Sequence, residues 1–518
     1  MFAPAKTRRA SRQQIAVTAS VPAPVGGWNA RDPLGAMDPK DAVILQNWFP
    51  KPSYCVMRSG YTNQATGIPG TVESVMGYSA PNGGNSRLFA ASNNAGACAI
   101  YDVTSSGAVG AAVVSGLTSA RFAHVNFTTP GGSFLYLVNG ADAPRHWNGT
   151  VWTTPAITGI ATPSQLVDVT VHKSRLWFAQ TNSLSLWYLP VNSVAGAAVE
   201  FPLGSILRAG GSIAAIGNWT IDAGQGVDDH LVVITTEGEV AVYKGSDPSS
   251  AALWYLVGVW QIGSPMGRRC MMKFAGDLLI ICKDGLLAMS AALQSTRIDN
   301  RASLSDKILN AMSEATSTYS ANYGWEVELF PLENMVILNV PTSSTEAEQY
   351  VMNTISRAWC KFTGWNARCW ELYSDSIYFG GAGFVGRAWN GTSDNGAAIN
   401  ASALPAFNYF GGRTGLKQWT MARPVLSVSG VPGISLGLSV DFDTAPPTNN
   451  PSFVVNNIAF WGTATWGSSL WGGLRVLKDW QSVSGLGYCA AMFLQVSSTT
   501  AQTEWTSVDY AFQGGGVL

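Results

Sequence analysis

The chain has only four histidines, at positions 124, 146, 172 and 230. None stands in an HxH or HxxxH pair, and none lies beside a cysteine at zinc-ligand spacing. The seven cysteines (55, 98, 270, 282, 360, 369 and 489) contain no CxxC pair, so no redox dithiol is read from them. The densest titratable cluster is Asp228-Asp229-His230, directly ahead of an apolar run. Glycosidase chemistry needs two carboxylates, or a tyrosine nucleophile with an arginine cluster, converging on one face. A solvated turn accounts for Asp228-Asp229-His230 without any such partner. A Ser-x-Asp-x-Gly-x-x-Trp box and a phosphate-binding Gly-x-x-x-x-Gly-Lys loop are both missing. The sequence is read as that of a non-enzyme, with no catalytic, metal-binding or cofactor-binding residue.

The elements that would position any site are more legible. Residues 134–150, FLYLVNGADAPRHWNGT, align without a gap on residues 376–392, SIYFGGAGFVGRAWNGT, at an offset of 242. Tyr136 falls on Tyr378, Arg145 on Arg387, and Trp147-Asn148-Gly149-Thr150 on Trp389-Asn390-Gly391-Thr392. Each copy reads as a strand, a Gly-rich turn, a second strand ending in Trp, and an Asn-Gly turn that tolerates positive φ. Tyr136, Trp147, Tyr378 and Trp389 are therefore the expected core of a repeat.

Apolar triplets begin at Leu88, Leu135, Leu176, Leu231, Leu278, Val336 and Ile377, with gaps of 47, 41, 55, 47, 58 and 41. Propeller repeats run about 40–50 residues. Short strands at even spacing with almost no helical periodicity predict a mainly β protein, a β-propeller over 72–397. Six blades are the first reading and seven the second, because the Val336 unit is weak and can complete its neighbour; an array of sandwiches explains the regular offset less well. Residues 301–317, RASLSDKILNAMSEATS, predict a helix inserted between blades, started by Ser303 or Ser305. Gly204, Gly210, Gly211, Gly224 and Gly226 predict a long loop projecting from the ring, a candidate channel loop.

Around this core lie a flexible arm (1–25), a docking segment (26–71) and a small C-terminal β-sandwich-like domain (398–518). The arm is either disordered or docked on a neighbouring subunit. Asp38-Pro39 caps a short helix that Ala42–Leu45 would continue. In the C-terminal region Trp461, Trp466 and Trp471 each precede Gly, five residues apart. That spacing fits neither a helix nor one strand face, and places them at turns in an interface or core rather than on sugar.

Charged residues are only 12% of the chain, against roughly 25% in a typical soluble domain. So sparse a charged exterior points to surface hidden in an assembly. Net charge is −1, with no basic–aromatic interleaving, which excludes bulk electrostatic capture of nucleic acid. No secretory h-region follows the basic start and no apolar run is long enough to span a bilayer, so no membrane anchor is expected.

Residues 26–61 carry Gly-Gly-Trp-Asn-x-Arg-Asp-Pro-Leu, then Met-x-Pro-x-Asp-Ala, then Asn-Trp-Phe-Pro, then Arg-x-Gly-Tyr. This order resembles the N-terminal signature of the nozzle, or tail-tube-B-like, proteins of short-tailed bacteriophages. The later Lys-x-x-x-x-x-Arg-Pro segment and the repeated Trp-Gly resemble their C-terminal part. The resemblance implies a virion structural protein of the phage tail, assembled in the host cytoplasm. It implies a homohexameric ring of propeller subunits that extends the DNA-ejection channel below the portal and adaptor. Partners would be adaptor or connector proteins, tail fibres or spikes, and double-stranded DNA passing without sequence-specific binding. Trp28, Arg31, Asp32, Trp48, Phe49 and Arg58, with Trp461, Trp466 and Trp471, are then the candidate interface. The alternatives are a propeller that binds or degrades a glycan, and a bacterial repeat scaffold, which leaves 26–61 unexplained.

Overall fold

A computed structural model describes residues 16–81, 83–220, 229–292, 303–447, 452–453 and 475–514. The chain divides into two units, residues 58–399 and residues 1–57 with 400–518.

In the 58–399 unit, antiparallel strands follow one another in seven runs. The first joins the later half of Tyr61–Tyr78 to Arg87–Asn94, Ala97–Asp102 and Val114–Leu117. The second is Ala123–Thr129, Gly132–Val138, Arg145–Trp147 and Trp152–Thr153. The third is Leu166–His172, Arg175–Gln180, Ser185–Tyr188 and Val199–Pro202. The fourth is Ile213–Thr220, Asp229–Thr235, Glu239–Gly245 and Trp254–Gln261. The fifth has three strands, Met271–Phe274, Asp277–Cys282 and Gly285–Ala288. Runs two to five are separate sheets, whereas the others belong to larger ones. The sixth is Glu326–Phe330, Met335–Pro341, Ala347–Asn353 and Trp359–Phe362. The seventh is Trp370–Tyr373, Ser376–Gly380 and Ala382–Ala388, completed by the first half of Tyr61–Tyr78.

That long strand therefore serves two sheets, pairing Ala388 at Tyr61 and Arg87 at Tyr78. First strands of runs two to seven lie against each other in succession, and that of the seventh lies against Tyr61–Tyr78. Asn126 Nδ2 donates to the Gly77 carbonyl at 2.8 Å, and the Trp370 N–H donates to Glu326 at 2.8 Å, stitching neighbours together. The unit is mainly β, a propeller-like arrangement of small sheets.

Strand pairing does not divide this unit into six. Val336 opens no completion of its neighbour: its strand has its own first strand, at Glu326, and two outer strands. All seven apolar triplets are second strands of their runs, buried between flanking sheets, which is why they read as unbroken apolar stretches. The aligned hairpins also sit at equivalent places, second and third in their runs, but in different register. Tyr136 faces His146, whereas Tyr378 faces Arg387, the counterpart of Arg145. A one-residue slip exchanges the faces of a strand.

The helix expected at 301–317 begins later, as Leu309–Tyr319 after a 3₁₀ turn at Asp306–Ile308, between the fifth and sixth runs. Neither serine caps it. Ser305 Oγ accepts the Leu286 N–H at 3.0 Å and Ser303 Oγ donates to the Leu286 carbonyl, so both dress the edge of the fifth sheet. The expected Gly204–Gly226 loop is interrupted by the buried strand Ile213–Thr220. Gly204, Gly210 and Gly211 occupy the short connection before it, and Gly224 and Gly226 lie outside the described residues.

In the other unit, Lys417–Val428 pairs along its length with Thr503–Gly514. Val17–Pro22, Trp48–Pro50 and Cys55–Met57 extend that sheet. A second sheet holds Asp41–Gln46, Ile399–Pro405, Ala490–Ser498 and Gly433–Val440. The Tyr510 hydroxyl accepts the Met492 N–H at 3.1 Å between the two sheets, and Trp48 meets Trp505 edge to face at 5.7 Å. Residues 17–57 thus share sheets with 400–514 rather than standing apart as an arm and a docking segment. Residues 17–22 form a strand. Ala42–Leu45 are likewise strand, not helix: Ala42 pairs with Pro405 and Leu45 with Ala403, and Val43 and Ile44 are β-branched.

Candidate functional site

The polar centre of the 58–399 unit is built by residues at or just before the first strands. Arg269 precedes Met271–Phe274. Its Nη2 donates to the Glu73 carbonyl (3.1 Å), Ser74 Oγ (2.7 Å) and the Phe122 carbonyl (3.1 Å), while Nη1 reaches Glu326 at 3.4 Å. One guanidinium so ties the first, second, fifth and sixth runs. Tyr323 donates its hydroxyl to the same Glu73 carbonyl. Arg121 stacks on the Tyr323 ring at 4.1 Å and pairs with Glu73 at 3.1 Å. Arg268 donates to the Ala214 carbonyl at 3.0 Å. These side chains bring residues of four runs together at the middle of the unit.

Carboxylates buried beneath are held in unusual states. Burial pushes the Asp168 carboxyl up to about 6, although the Ile216 and Val169 N–H groups donate to it and Arg268 lies near. Burial also raises Glu326, opposed by Arg269, and raises Glu328 strongly, helped by the neighbouring charges of Glu371 and Glu326. His124 Nε2 faces Glu371 at 3.2 Å. Asp168, Glu326 and Glu371 are each bonded to a residue of another run, so the arrangement works as a polar plug holding first strands together.

The residues proposed for an interface divide by burial. Trp48 and Phe49 are fully enclosed in their own unit. Arg58 is enclosed as well, its side chain 1% exposed: it makes a bidentate pair with Asp394 (2.8 and 2.6 Å) and lies 4.7 Å from the centre of the Trp365 ring. Burial removes these three from any contact surface. Arg31 and Asp32 pair at the surface at 2.7 Å, and Trp28 is half-buried. Trp461, Trp466 and Trp471 lie outside the described residues.

The organiser of the 26–61 signature is a residue the sequence reading passed over. Asn29 Oδ1 accepts the N–H groups of Arg31 and Asp32, and its Nδ2 donates to Asp32 (2.9 Å) and buried Asp41 (2.8 Å). Among repeat positions, Tyr136 and Tyr378 are buried, while Trp147 and Trp389 are half-buried.

A second feature is apolar. Trp254–Gln261 is the outer strand of its sheet, with one edge unpaired among the described residues. Tyr255 is 52% exposed, and Val257, Val259 and the adjoining Leu253 are exposed as well, while Trp254 is buried and Leu256 packs inward. The signal was present in WYLVGVWQ, where a surface strand should alternate apolar with polar residues and does not.

No protein-family model matches the chain, and no curated protein matches it. Among solved structures it is similar to crystal structures of BBS1N in complex with ARL6DN, soaked with lead or with mercury. These have 13% and 12% identity and TM-scores of 0.37 and 0.39, covering 65% of this chain and 99% of the other. It is also similar to a glycoside hydrolase family 43 arabinoxylan arabinofuranohydrolase from Bacillus subtilis in complex with cellotetraose. That likeness has 8% identity and a TM-score of 0.26 over 88% of this chain and 96% of the other. At such scores none of these carries an argument, and the fold rests on the strand pairing itself.

Proposed function

We propose that this chain is the nozzle subunit of a short phage tail, a seven-bladed propeller joined to a small β-sandwich. Six copies close a ring that continues the DNA-ejection channel below the portal and adaptor in the virion tail. Heterologous contacts whose rotation closes give such a ring. The strand Trp254–Gln261 carries the reading: an unpaired edge presenting Leu253, Tyr255, Val257 and Val259 calls for a covering partner. The resemblance of residues 26–61 to nozzle proteins gives that partner its identity, a neighbouring subunit. Because Arg269 and Tyr323 fill the middle of each propeller, the conduit runs between subunits and not through them. A net charge of −1 suits a wall past which double-stranded DNA slides, since each neutralised phosphate adds salt-sensitive affinity. Adaptor proteins above and fibres or spikes around the ring are the remaining partners.

The test is Val257→Asp with Tyr255→Glu, followed by native mass spectrometry of the purified chain with its adaptor. The wild-type chain forms hexamers and the double variant stays monomeric with an unchanged melting temperature. Hexamers of the double variant, or a wild-type chain that remains monomeric with the adaptor, overturn the reading.

A further inference from the structure

The polar plug forms one wall of a cavity of about 490 Å³, lined by Arg121 and Arg368 together with Thr71, Asn93, Ser343 and Ser344. Its volume lies in the range of small-molecule sites. Arg368 is 5% exposed. Its Nη1 donates to the Ser343 carbonyl at 2.8 Å, but its Nη2 is buried with no hydrogen-bond partner, and among the described residues no carboxylate pairs with it. An enclosed guanidinium that lacks both a direct ion pair and one of its hydrogen bonds is costly, and Glu73 acts on it only from a distance. Something of opposite charge in the cavity would meet both needs, the hydrogen bond after a small rotation of the guanidinium.

The charge count selects the ligand class. Two guanidiniums, Arg121 and Arg368, face one carboxylate, Glu73, which already accepts from Arg121 at 3.1 Å. The wall is thus net positive by one charge, enough for a monoanion, while Glu73 opposes a dianion. Arg121 is fixed for the purpose by its stacking on Tyr323, and its side chain is 53% exposed, so part of its fork is open to a ligand. Hydroxyls of Thr71 and Ser344 add neutral donors on the same wall. We propose that this cavity binds a small monoanionic carboxylate, its oxygens held between Arg121 and Arg368. The site needs neither a ring nor DNA, so it stands or falls separately from the nozzle reading.

The experiment is isothermal titration calorimetry of the full chain at pH 8 with D-glucuronate, its neutral counterpart D-glucose, and inorganic phosphate as the dianion. Glucuronate binds with a millimolar Kd and glucose does not. Arg121→Gln, at a largely exposed position, weakens glucuronate at least tenfold, and Arg368→Lys does the same where it folds. Three results overturn the proposal: no glucuronate binding at 20 mM, equal binding of glucose, or phosphate binding tighter than glucuronate. An Arg121→Gln chain that binds glucuronate as the wild type does overturns it too.

Discussion

Asp168 and His172 stand four residues apart on the strand Leu166–His172, and burial acts on them in opposite senses. It pushes the Asp168 carboxyl from 3.8 up to about 6, and it pulls His172 from 6.5 down to about 4, where Asn218 hydrogen-bonds the imidazole. The stability that Asp168 contributes is complete below pH 3.8 and is lost as pH rises through 6. That of His172 is complete above pH 6.5 and is lost as pH falls through 4. Asp168→Asn removes the first slope and leaves the second. Relative to wild type, the variant should therefore gain stability between pH 4 and pH 7, by about 3 kcal/mol at one pKa unit per 1.36 kcal/mol. Urea midpoints measured at both pH values check this, and a difference that shrinks with rising pH contradicts it. None of this was legible in the sequence, because a carboxyl's burial depends on the neighbouring strand Ile213–Thr220. Arg58 illustrates the same blindness: its motif reads as exposed docking surface, yet its partner Asp394 lies far along the chain.

At the scale of elements, what could be read was what is local. The seven apolar triplets are second strands buried on both faces, so their signal is unbroken. First strands carry Glu73, Asp168 and Glu326 toward the polar plug, and IAAIGNWT is rich in small residues, so their patterns gave no strand signal. Asp38-Pro39 announced a helix, but a pairing partner near residue 404 decides the strand at Asp41–Gln46. The Tyr61–Tyr78 strand shows how closure is achieved: it crosses from the last run to the first near Gly70, at φ +79. A Cβ there would meet the Asn93 carbonyl oxygen at 2.1 Å, whereas Gly210, also at φ +79, has nothing within 4 Å. Both alanine variants incur the left-handed backbone cost, of the order of 1 kcal/mol. Gly70→Ala adds a backbone clash, and its melting temperature should fall well below that of Gly210→Ala. Equal melting temperatures would mean that the crossing yields freely.

For the whole molecule, the sparse charge, the filled middle of the propeller and the bare strand Trp254–Gln261 meet in one account: a subunit whose pore exists only once copies assemble. The sparse charge was the feature of composition that pointed to the proposed assembly. The position of the proposed contact strand needed the fold, because only its outer place in the sheet leaves the face carrying Tyr255, Val257 and Val259 exposed while Trp254 and Leu256 pack inward. Residues 26–61 carry only the resemblance behind the proposed tail role, and the side chains of Asn29 and Trp48 bind within their own unit. The most direct measurement is electron microscopy of the chain bound to its adaptor. The account predicts a six-membered ring with a central hole wide enough for a DNA duplex, and with Trp254–Gln261 against the neighbouring subunit. A monomer on the adaptor, or a ring too narrow for a duplex, contradicts it.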